Sequence, residues 1–390
     1  MREPSDPSLS KSTIPSGPFR WIILFAEKMK ARGDFRRERL MYLALEALEI
    51  REKEPVRALK LYNQGRDEAV ALRESWWILF FDYLRLQIIT GPLGDLADGL
   101  KIAMAGVAEA DKPLYARFPQ RVCLHEDVIR IQCGIDPLGF APQIEDGIDF
   151  MTRSLPADSL CHDCLRGVKI RYALEIGRWD DARKLLLESL AGPTGGMNPV
   201  TPKNERHMVG QKVTTEKIRA AEYTQLCVVA WNCDEPENLR AWALEGEATG
   251  RRVEEYACIA ECLMWQAVLA RREGDAAAAQ RLCHRAIQEN KQSLWIAGTS
   301  YFDALCTFYE ESGDLRLACQ ARAHQLNLLR GKGQTFVEVR AHTERCRLLS
   351  RLGHSLESAL PAARDAANFL IDPSPALEAI ERIARGEKHC

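Results

Sequence analysis

The chain has 390 residues, too many for one small core and suited to two or three domains or to one extended repeat array. Apolar residues at 46% and charged residues at 28% exclude wholesale disorder and low-complexity or collagen-like architecture. With 53 basic against 55 acidic side chains the net charge is -2, which removes the electrostatic footprint of general nucleic-acid or anionic-membrane binding.

Residues 1–17 are rich in Ser and Pro, lack the apolar stretch of a secretory signal, and read as a disordered tail. The apolar run Trp21 to Phe25 soon meets Glu27, Lys28 and Lys30, and Trp76 to Thr90 carries Asp82, Arg85 and Gln87. Neither offers the span of about 18–20 uncharged residues that a membrane crossing needs. Apolar spacing of three and four predicts helices over 18–32, 35–52, 55–73, 75–89, 94–108, 114–133, 141–153, 159–176 and 179–190, making residues 18–190 an N-terminal helical-repeat segment. Residues 191–210 contain Gly192, Pro193, Gly195, Gly196, Pro199 and Pro202 and read as a loop insertion, inert or a functional lid. Residues 211–390 form the C-terminal repeat segment; its helices are expected over 205–232, 236–249, 252–273, 276–289, 293–312, 315–330, 335–351, 356–370 and 375–385. No sheet is expected. The apolar residues at 21–25, and Leu377 with Ile380 at the other end, should cap the array.

A turn recurs at Gly274-Asp275, Gly313-Asp314 and Gly353-His354, 39 and 40 residues apart, with an apolar helix before it and small residues after it. Glycine supplies the left-handed conformation that ends the first helix, and the Asp caps the second. An earlier copy runs from Tyr172 through Gly177 and Trp179 to Leu187. The order Phe302, Leu305, Cys306, Tyr309, Gly313, Ala318 resembles the tetratricopeptide repeat family. So, more loosely, do Ala267, Gly274, Ala279, Ala286 and the set Ala173, Gly177, Ala182. The unit is longer than that family's usual repeat, and its closing proline is missing from these three copies. The resemblance implies an all-α, right-handed superhelical solenoid of helix hairpins that binds proteins or peptides in its concave groove.

Counting back from the turn glycines places groove-facing positions at Arg171; at Glu261, Met264, Val268 and Arg271; at Asp303, Thr307 and Glu310; and at Arg340, Thr343 and Arg347. Arg340 and Arg347, two helical turns apart, suit an acidic ligand. The Cys161-His162-Asp163-Cys164 motif is a weak metal candidate, since a structural zinc wants four ligands and no second pair accompanies it; the alternative is Cys164 facing the core of a helix. No nucleophile elbow, zinc-protease motif, phosphate loop or dinucleotide fingerprint occurs, so neither catalysis nor a cofactor is expected. The basic run Lys28 to Arg39 is interleaved with Asp34 and Glu38 and reads as a solvated helix face. Thirteen dispersed cysteines in apolar contexts fit a reducing cytoplasm. The expected function is a non-enzymatic scaffold or regulatory subunit binding a protein or peptide partner; the alternative is a ligand-gated regulator sensing a signalling peptide or small molecule.

Overall fold

The computed structural model describes residues 20–51, 53–155, 161–191, 206–208, 211–213, 215–292 and 299–387. The expected tail, residues 1–17, lies outside them, as does most of the expected loop, residues 192–205 with 209 and 210.

Among the described residues the architecture is helical apart from one short strand pair. The first half comprises α1 (Arg20–Ala31), α2 (Phe35–Ile50), α3 (Pro55–Leu72), α4 (Ser75–Thr90), α5 (Leu96–Ala110), α6 (Arg121–Ile135), α7 (Ala141–Ser154), α8 (His162–Glu175) and α9 (Trp179–Ala191). The second comprises α10 (Thr215–Asn232), α11 (Pro236–Val253), α12 (Tyr256–Arg272), α13 (Ala276–Gln292), α14 (Thr299–Glu311), α15 (Leu315–Leu329), α16 (Thr335–Arg351), α17 (Ala359–Ala367) and α18 (Ser374–Ala384).

Two helix expectations fail. The helix predicted over 114–133 begins only at Arg121, after a single 3-10 turn at Pro113–Tyr115, because Pro119 disfavours helix in the residue before it. The helix predicted from 205 begins only at Thr215, and a short antiparallel pair, β1 (Arg206–Met208) and β2 (Gln211–Val213), precedes it with His207 opposite Lys212. Gly210 and the β-branched run Val213, Thr214, Thr215 weaken a helix there and favour extended chain.

The turns form for the expected reason. Gly177, Gly274, Gly313 and Gly353 all have positive φ, between 68° and 85°. Asp275 accepts from the Ala278 amide (2.8 Å) and Asp314 from the Leu317 amide (3.2 Å), so each caps the helix it begins. At the turn after α10 it is Asp234, with φ 54°, that adopts this left-handed conformation.

Packing is local and sequential. One apolar cluster joins α1 to α6, the next α6 to α8, then α8 to α10, α10 to α15, α15 with α16, and α16 to α18. Each hairpin buries its apolar face on its neighbours, which is how stacked repeats are stabilised. Polar contacts keep the same register: Asp303 meets Arg340 and Glu310 meets Arg347, each 37 residues on, while Glu247 meets Arg285 and Arg251 meets Glu289, each 38 residues on. Both ends are covered. Ile22 is buried against the first hairpins, and Ile380 is buried with Leu377 against α16 and α17. Among the described residues no helix is long and apolar enough to cross a membrane.

The array also meets itself. The turn before α16 touches the turn before α5, and α16 lies beside α6. Side-chain pairs also link α16 to α8 and to α14.

Candidate functional site

A charged cluster is drawn from both halves of the chain. Arg340 on α16 reaches Asp303 on α14 at 3.2 Å and Glu175 on α8 at 4.0 Å. Asp303 also accepts from Arg322 on α15 at 2.7 Å, and Arg322, itself buried, donates to Gln325 at 2.8 Å. Arg171 stands one helical turn before Glu175. Burial raises the pKa of Glu175, and the charges of Arg171 and Arg340 work against that rise. A second cluster lies two turns further along α14 and α16, where Glu310 takes Arg347 at 2.6 Å and also Arg351, while Arg347 reaches Glu344 at 2.7 Å. Hydrogen bonds from the Arg347 guanidinium to Glu310 and Glu344 hold its charge against the cost of burial.

Of Arg171, Asp303 and Arg340, placed in one groove by sequence spacing, Asp303 and Arg340 pair directly, and the charges of Arg171 and Arg340 both act on Glu175. Glu310 and Arg347 meet directly. Thr307 and Thr343 turn their hydroxyls back on their own helices, to the carbonyls of Asp303 and Val339, both at 2.8 Å. Arg271 lies at the end of α12 and donates to the Glu311 carbonyl at 3.3 Å, apart from the Arg340 cluster.

Met264 requires correction: it and Val268 are wholly buried and Glu261 nearly so, so none faces an open groove. Helix α12 is covered on nearly all sides because α10, α11, α13 and α14 all pack on it, and counting from a turn gives a helix face without saying what covers it. The reading missed Glu175, Arg322 and Glu344. Glu175 had a signal, its spacing of four from Arg171; Arg322 had none, since its small neighbours Ala321 and Ala323 marked a packing face.

Burial gives Glu261 a testable property. Its carboxyl is pushed up to about 7 by burial, aided by the charge of Asp303 and opposed by Ser300. The folded chain therefore keeps a proton that the unfolded chain releases near its ordinary value of 4.5. The stabilisation is fully present below that value and is lost as pH rises through the folded pKa, a fall of about 3 kcal/mol from this group. Glu261→Gln should flatten that part of the profile in urea denaturation between pH 4.5 and 8; an unchanged slope would show that Glu261 is ionised when folded.

Cys161 is buried and Cys164 half-buried, and the Cys123 thiol hydrogen-bonds to Cys161. Every cysteine among the described residues is a free thiol, and no group of three His, Cys, Asp or Glu side chains there could hold a metal ion. In the basic run, Arg37 pairs with Asp34 and Glu74, and Arg39 with Glu68. Compared with known proteins, the chain matches no family model and no curated sequence.

Proposed function

We propose that the chain is a non-enzymatic interaction module: a tetratricopeptide-like superhelical array whose inner face binds an acidic peptide segment of a partner, as a scaffold or regulatory subunit in the cytoplasm. The observation that carries this reading is Arg340. Half exposed, it joins acidic side chains of α8 and α14, which come from opposite halves of the chain. Arg171 adds a second cation on the same side, so an incoming carboxylate would exchange with Glu175 or Asp303 rather than require a new charge pair. The buried free thiols suit a reducing compartment.

The charges around Arg347 decide which variants can test this. Reversing Arg347 would set three carboxylates together at Glu310 and Glu344, so lost binding would be confounded by lost folding. Peptides selected from a display library on the full chain should be acidic, and Arg171→Ala with Arg340→Ala should weaken their binding by about tenfold or more at unchanged helix content. Selected peptides that bind both variants equally well would place the partner elsewhere. The second reading, a ligand-gated regulator, draws support from the contact that joins the two halves of the array.

A further inference from the structure

We infer that this contact is a reversible clasp, which opens without unfolding the hairpins on either side and governs access to the inner face. Four turns make it. Leu96 donates its amide to the Lys332 carbonyl at 3.0 Å, and Lys332 Nζ donates to the Leu93 carbonyl at 2.6 Å. Nearby, Asp136 accepts from the Gly139 amide through Oδ1 (2.9 Å) and from the Ile371 amide through Oδ2 (2.8 Å). Gly139 apart, these partners lie 235 to 239 residues apart in the sequence.

The fit requires glycine at two points. Gly333 has φ 66°, and a Cβ there would stand 2.8 Å from the Ala97 nitrogen. A Cβ on Gly139 would stand 2.6 Å from that of Ile371. The backbones therefore approach more closely than side chains would permit.

What joins the surfaces is nonetheless weak. The apolar clusters containing α4 to α8 include nothing from α15 to α18, and the converse holds. Neighbouring hairpins bury apolar area against each other, whereas the clasp holds through main-chain and polar hydrogen bonds, which water replaces at small net cost. Arg340 to Glu175 is the one ion pair across it among the described residues, and that pair belongs to the inner face. Opening would separate Arg340 from Glu175 and leave Asp303 with Arg322. Elements of this kind, with few buried apolar contacts, populate open states below the global unfolding free energy.

Opening does not depend on the peptide-binding reading, but its role in access does. Hydrogen exchange on the full chain should find the Leu96 and Ile371 amides exchanging at least about tenfold faster than the interior amides of α12. Asp136→Ala with Lys332→Ala should accelerate both further and enlarge the radius of gyration in small-angle scattering, at unchanged helix content. If the two amides of the unaltered chain exchange only together with α12, the clasp is part of the global fold and the inference is overturned, whether or not the variant folds. Gly333→Ala would set a Cβ 2.8 Å from the Ala97 nitrogen at a positive φ and hold the clasp open. That variant should bind library-selected acidic peptides at least about tenfold more tightly than the unaltered chain. Equal binding by both overturns the access role; if no acidic peptide can be selected on the unaltered chain, the function reading fails while the exchange result still decides the clasp.

Discussion

Replacing Trp21 with alanine is expected to destabilise the N-terminal third by about 3–5 kcal/mol, the range for removing a large aromatic side chain from a packed site. Its ring meets Trp76, Trp77 and Phe80 edge-on at centroid distances of 5.6, 5.2 and 5.5 Å, and Phe118 at 6.2 Å. Its indole N–H donates to Gln120 at 3.0 Å. Truncation removes all of these at once and leaves a void among side chains fixed by their own packing. Because each hairpin is supported mainly by its neighbours, the loss should be local, with an early N-terminal transition while the C-terminal hairpins melt as before. Urea unfolding with limited proteolysis would show this. A single transition displaced by less than about 1 kcal/mol would mean that α1 is dispensable as a cap.

Gly65→Ala is expected to lower stability by about 2 kcal/mol or more, although alanine is the better helix former by about 1 kcal/mol. Gly65 lies within α3, and a Cβ there would stand 2.2 Å from Phe81 Cζ. Phe81 cannot retreat, since it is fully buried with Tyr62, Trp77 and Phe80 around it. Gly167 is the control: it also lies within a helix, α8, but nothing stands within 4 Å of its would-be Cβ. Gly167→Ala should therefore stabilise by about 0.5–1 kcal/mol. Thermal unfolding of the two variants should move in opposite directions; a shift of the same sign in both would remove the steric explanation.

The repeat was legible because its signals are local. A glycine at the end of one helix, an Asp at the start of the next and small residues where helices approach all lie within a single unit. Gly313, Asp314 and Ala318 accordingly act as their spacing implies. The candidate site was legible in part. Spacing put Asp303 and Arg340 on equivalent turns of successive units, and they pair. Met264 had the same kind of spacing and is core, because exposure depends on which helices cover a face.

By itself, then, the sequence determined helical character, the hairpin unit and its period, the two end caps, and which helix faces carry charge. All of these follow from backbone preference and apolar spacing within some forty residues. Only the tertiary structure decided that the array returns on itself, that Glu175 joins Arg340, and that Asp136 and Lys332 hold partners more than 200 residues away. That contact depends on the packing of every helix between α6 and α16, which no single hairpin encodes.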